Sequence, residues 1–212
     1  MNALLLPPEC LSSMTLPDGA VATLRPVTPD DVCAERDFVA SLSPQSRFYR
    51  FHGAVNGLTD AMARYLTCVD QRRHVAFVVT VAGNGGETVI ADARYVATDD
   101  TAEFAIAVAD RWQGCGIARR LLDALAACAR RAGLRWLVGE VLATNRPMLT
   151  LAEHLGFHRA TRGADAGVVR VERSVAPLAP AEHGLVARVC SRVGRLFARS
   201  QAADPRQAFA PF

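Results

Sequence analysis

The sequence predicts an α/β (α+β) chain in which an antiparallel meander leads into helices and a further strand. Three observations carry this. Residues 73–109 hold three alternating, β-rich runs: H-V-A-F-V-V-T-V-A, E-T-V-I-A-D-A-R-Y-V-A-T and A-E-F-A-I-A-V-A, separated by G-N-G-G and T-D-D-T. That is the pattern of strands joined by tight turns. Ile117, Leu121, Leu122, Leu125 and Cys128 then fall at helical spacing. A new strand-like run, L-R-W-L-V-G-E-V-L, follows that helix.

The remaining elements read in order. Residues 1–18 carry prolines and no clear period and are expected as a leader. V-A-T-L-R-P-V, from Val21, alternates and is β-branched; its Pro26 suggests an edge or a strand end. T-P-D-D supplies an N-cap, a proline at the first helical position and acids in the first turn. A helix is expected from Pro29 to Ala40. S-R-F-Y-R-F follows, dense in aromatic and arginine residues, with no element assigned. T-D-A-M-A-R-Y-L-T, from Thr59, reads as a short capped helix. Gly133 is expected just past the end of the long helix. Asn145 to Leu155 reads as another helix, closed by Gly156, and F-H-R-A and V-V-R-V-E-R-S are the last strands. From residue 176 the composition changes: A-P-L-A-P is a linker, and 181–199 form a basic amphipathic helix before a polar end expected to be disordered.

Half of the 212 residues are hydrophobic, enough for one sizeable core. A net charge of +3 is mild and argues against a dedicated nucleic-acid binder. The six cysteines are scattered without C-x-x-C or paired-histidine spacing, so no metal site and no disulfide framework is expected. The N-terminus lacks the charge and apolar length of a signal peptide, and no apolar run reaches the roughly 20 residues of a membrane span. A cytoplasmic protein is the expectation, with the oligomeric state left open.

The stretch D-R-W-Q-G-C-G-I-A-R-R joins the third meander strand to the long helix. Helix-initial amides have no intrahelical acceptor, and the helix dipole favours an anion there. Gly114 and Gly116 permit close approach and unusual backbone angles. The loop lacks the G-K-[ST] ending of a Walker loop and the βαβ setting of a dinucleotide fingerprint.

Gln113 to Ala118 fits Q-x-x-G-x-A, and with N-R-P-M-L-T-L-A-E-H-L-G-F downstream the chain resembles the GNAT N-acetyltransferases from about Val21 to Ser174. L-R-P-V-T-P-D-D, L-S-P-Q-S-R-F-Y-R-F and T-N-R-P-M-L further resemble the acetyltransferase domain of bacterial Pat-type protein lysine acetyltransferases. The extra domain that often accompanies that type is not expected in this sequence. The resemblance implies a mixed, mostly antiparallel sheet with helices on both faces, over residues 19–175. It implies acetyl-CoA as co-substrate. Gln113, Gly114, Cys115, Gly116, Ile117, Ala118 and Arg119 would bind its pyrophosphate, Asn145 its pantetheine arm, and the Val108 amide the thioester oxygen. The strand end at Val108 and the strand Trp136 to Leu142 would splay to admit the arm. Glu103 is the candidate general base, with Glu140 the rival and Asp92 a weaker one. Many members carry a tyrosine, as acid for the thiolate, where this chain has Ala152. The expected reaction is N-acetyl transfer to an amine, most simply a protein lysine. Small-molecule amine acetylation and a non-catalytic acyl-CoA-binding module are the rival readings.

Overall fold

In a computed structural model describing residues 11–83, 86–160 and 167–176, the meander is formed by β3 (His74–Gly83), β4 (Gly86–Thr98) and β5 (Thr101–Val108). Two-residue periodicity sorts the side chains of β3 onto two faces. Val75, Phe77 and Val79 join one apolar cluster, whereas Ala76 and Val78 join another. A sheet that is apolar on both faces must be covered on both.

The cover comes from helices of opposite position in the sequence. The helices α1 (Val32–Ser41), α2 (Pro44–Phe51) and α3 (Asp60–Thr67) pack on one face through Phe38, Val39, Phe51 and Leu66. The helices α4 (Ile117–Arg131) and α5 (Arg146–His154) pack on the other through Leu121, Leu122, Leu125, Leu149 and Ala152. Arg130 and Arg131 lie in the last turn of α4, where cations suit the dipole, and Gly133 follows at φ +75°.

Five further strands complete the sheet: β1 (Ser12–Thr15), β2 (Val21–Pro26), β6 (Trp136–Leu142), β7 (His158–Arg159) and β8 (Val168–Ser174). Their order is β1-β2-β3-β4-β5-β6-β8-β7. Among the described residues every strand pair is antiparallel except β5 with β6. This is the mixed, mostly antiparallel sheet, helices on both faces, that the resemblance implies.

Two stretches differ from expectation. Part of the leader is a strand: Ser12–Thr15 pairs with β2 through a turn in which the Ala20 amide donates to Asp18. Four residues are too few to show a period, although L-P-D-G-A is a turn signal. S-R-F-Y-R-F belongs to a helix, α2, started by the Ser43 side chain accepting from the Ser46 amide and by Pro44. The basic helix expected at 181–199 lies outside the described residues.

Candidate active site

The parallel pairing of β5 with β6 runs from Thr101 opposite Trp136 to Phe104 opposite Gly139, and there it stops. Beyond that rung β5 stays paired with β4 through Val108, and β6 stays paired with β8 through Leu142. The two strands diverge, each leaving an edge of backbone donors and acceptors towards the gap. Side-chain packing accompanies the divergence. A Cβ on Gly139 would lie 2.5 Å from the Phe104 ring, so glycine is what lets that ring cross β6. The ring is held edge-on by Phe157, with centroids 5.5 Å apart.

From the gap a cleft of about 500 Å³ leads to the glycine loop. Its walls include Ile106, Val108, Trp112, Gln113, Gly114, Gly116, Ile117, Ala118, Arg119 and Asn145. Gly114 and Gly116 have φ of +76° and +80°, and a Cβ on either would meet nothing within 4 Å. The left-handed backbone, rather than crowding, is what asks for glycine here. Gly116 is the N-cap of α4 and offers no side-chain acceptor, and the first turn has no acid. The helix start therefore presents uncompensated amides to the cleft, a setting for an anion. Cys115 is not among the cleft-lining residues; its thiol lies 3.7 Å from the Gln113 carbonyl.

The loop is tied to α2. The Asp110 carboxylate accepts from the Ser43 amide at 2.9 Å and from the Ser43 and Ser46 hydroxyls, each at 2.7 Å. Burial works against the Asp110 charge, but these hydrogen bonds prevail and hold its carboxyl below the usual range. Gln113 donates from Nε2 to Ser46 Oγ at 3.2 Å and to the Val108 carbonyl at 3.1 Å. Its side chain thus braces the loop against both β5 and α2.

A second, smaller pocket of about 90 Å³ opens at the same gap, lined among others by Tyr49, Arg50, His52, Glu103 and Glu140. The two cavities share Tyr49, Ile106, Asn145 and Met148. Glu103 sits opposite Val138, so Glu140, two residues further along β6, shares its face of the sheet. His52 closes α2 in a left-handed conformation, φ +52°. Burial lowers its pKa, against the charge and backbone hydrogen bond of Glu140, so the imidazole is neutral at pH 7. Tyr49 donates from its hydroxyl to the Thr144 carbonyl at 3.2 Å, spanning the gap. Asn145 uses Oδ1 to accept from the Met148 amide, capping α5.

Asp92, the weaker rival base, is locked away. It is 1% exposed and receives Arg50 at 3.2 Å and Arg94, which also pairs with Glu35 at 3.3 Å. Burial alone would raise its carboxyl, but the Arg94 and Arg50 guanidiniums outweigh that and hold it low. Of the arginines in S-R-F-Y-R-F, Arg50 backs the small pocket, while Arg47 donates to the Ala40 and Leu42 carbonyls. Ala152 is fully buried and His154 is exposed. Tyr95 lies in the core and Tyr65 beside His74, which leaves Tyr49 as the tyrosine at these cavities. Sequence reasoning assigned no element to the stretch that holds Tyr49 and missed Ser43 and Ser46; the S-P dipeptide before Q-S was the available sign of a helix start.

The strands thus part beside a glycine turn that opens a helix, with Glu103 and Glu140 lining the pocket at the parting. Residues 22–158 match the acetyltransferase (GNAT) domain family, and the chain belongs to that family. It is an acetyl-CoA-dependent N-acetyltransferase. An acetyltransferase of Pseudomonas aeruginosa is 34% identical over 145 residues, which are 68% of this chain and 78% of that protein. The acetyltransferase Pat of Mycolicibacterium smegmatis is 35% identical over 158 residues, 73% of this chain and 46% of that longer protein. In structure, the GNAT domain of S. lividans PAT matches with a TM-score of 0.70 at 32% identity, covering 79% of this chain and 98% of that domain. Among the described residues no helix is long and apolar enough to cross a membrane.

Proposed function

We propose that the chain moves the acetyl group of acetyl-CoA to a protein lysine, with Glu103 as general base and residues 19–175 as the working unit. The observation that carries this is the meeting of two cavities at the β5–β6 gap: one reaches the glycine loop, the other holds Glu103. Pyrophosphate would rest on the amides from Gln113 to Arg119, and the pantetheine arm would extend along the free edge of β5 past Asn145. An amine with a pKa near 10 arrives protonated. Glu103 takes that proton, directly or through water, and the nitrogen attacks the thioester carbon. The Val108 amide would steady the oxygen of the intermediate. The C–S bond then breaks, the sulfur leaves with its electron pair and takes the proton that the nitrogen gives up, directly or through water, and Glu103 releases its proton to solvent.

Likeness to the Pat proteins favours lysine as the acceptor. The small pocket favours any acceptor that ends in a slender amine, so a free small-molecule amine is the second reading. Glu103→Gln is expected to lower kcat by about 10²–10⁴ while acetyl-CoA affinity stays the same. Full turnover by that variant would remove Glu103 as the base. Lysine peptides assayed beside free amines decide the acceptor.

A further inference from the structure

We infer that the side-chain amide of Gln113 is a built-in competitor of the cofactor: it occupies the Val108 carbonyl, and the pantetheine arm displaces it on docking. The inference rests on the proposed path of the arm along β5 and adds a contact that opposes it.

The geometry begins with one peptide unit. The Ala109 amide donates to the Ile90 carbonyl at 2.9 Å, so it points to β4. Among the described residues no peptide bond is cis, and across a trans peptide the N–H and C=O point in opposite directions. The Val108 carbonyl therefore faces away from β4, into the gap. In extended backbone the N–H and C=O of one residue share a side, so the Val108 amide faces the gap as well. A parallel neighbour would bond to both. Acetyl-CoA has the groups to do so: its thioester carbonyl and its first amide N–H are as many bonds apart as the carbonyl before and the N–H after one residue of a strand.

The Val108 carbonyl is already taken. Gln113 Nε2 donates to it at 3.1 Å and to Ser46 Oγ at 3.2 Å. The amide cannot turn over without loss. A carbonyl only accepts, and Ser46 gives its one hydroxyl proton to Asp110 Oδ1 at 2.7 Å, which leaves lone pairs towards Gln113. Both partners call for nitrogen, so a turned amide would set oxygen against oxygen. Asp110 thus fixes, through Ser46, the N–H that covers Val108. Ser46, Val108 and Gln113 all line the cleft, so the covering group lies in the path of the arm rather than behind it. Docking exchanges one amide-to-carbonyl hydrogen bond for another of the same kind. The arm gains nothing at that carbonyl until it has replaced what Gln113 gives up.

The test is titration calorimetry of the full chain with acetyl-CoA and with 3′-phospho-ADP, the part of the cofactor that lacks the arm. The wild type is expected to bind acetyl-CoA more tightly than the armless nucleotide. Gln113→Ala should lower the acetyl-CoA Kd about 2–10-fold, the worth of one neutral hydrogen bond no longer surrendered, and leave the nucleotide Kd where it was. Ser46→Ala keeps the backbone amide that Ser43 accepts from. It should lower the acetyl-CoA Kd by a smaller factor, and added to Gln113→Ala it should change nothing further. A raised or unchanged acetyl-CoA Kd in Gln113→Ala overturns the inference. So does an equal shift for both ligands, which would make Gln113 a brace of the loop alone; either result leaves the proposed acetyl transfer standing. A wild type that binds the two ligands equally well overturns the path of the arm along β5 together with the inference.

Discussion

Residue 139 shows how one side chain, or its absence, shapes a site. A Cβ there would meet the Phe104 ring at 2.5 Å, and the ring is already fixed against Phe157. Gly139→Ala is therefore expected to destabilise the fold by about 1–3 kcal/mol through overpacking, read as a lowered denaturation midpoint. It should also weaken acetyl-CoA binding, because the displaced ring sits where the strands part. Residue-level legibility was uneven in a way that this site explains. Glu103 and its rival Glu140 could be picked out because each lies in an alternating run with a definite face. Gly139 reads in sequence as an ordinary interruption of a strand, since its partner Phe104 is 35 positions away. Asp92 looked like a weaker candidate base until Arg50 and Arg94 were seen to enclose it.

Helix starts were the most readable elements, because capping is local chemistry. Thr59 caps α3 by accepting from Met62, as the sequence suggests, and Asn145, read only as the start of a helix, caps α5. The turn ahead of α4 was readable for the same reason. Gly116 there adopts φ +80° at the N-cap, so Gly116→Ala should cost about 1–2 kcal/mol from backbone strain alone. It also puts a methyl group on the lip of the cleft, and acetyl-CoA KM is expected to rise by about tenfold or more while acceptor KM changes little. Equal KM values in the variant and wild type would show that the cofactor does not approach this turn. The α2 helix escaped notice because its core residues, Arg50 and Phe51, have no apolar stripe between them. What holds α2 in place is Asp110, more than 60 positions away.

Across the whole molecule, the meander and the two helical layers follow from periodicity, but the strand order does not. The parallel β5–β6 pair and the placing of β8 between β6 and β7 depend on contacts remote in sequence. Remote contacts also set a pH response. His74 begins β3 with Nε2 buried and without a hydrogen-bond partner. Burial, and next the charge of Arg94, pull its pKa down to about 4 from the usual 6.5. A histidine depressed in the folded state stabilises the fold fully above about pH 6.5, and that contribution is lost as pH falls towards 4. Screening by solvent at this half-buried site puts the effect on the order of 1–2 kcal/mol. Denaturant midpoints measured between pH 7 and 4.5 should fall less steeply for His74→Gln than for the wild type. Identical slopes would assign the acid sensitivity elsewhere.

The stop at the Phe104–Gly139 rung also works as a ruler. Four residues of β5, Ala105 to Val108, lie beyond it, and at about 3.3 Å per residue they give a free edge of roughly 13 Å. Any extended chain that docks as an extra strand is measured against that length. Moving the stop by one residue would change the length by a single step of about 3.3 Å. In the proposed docking of the pantetheine arm, the distance from the glycine loop to the reacting carbon would be set by where the β5–β6 pairing stops, at the rung of Gly139.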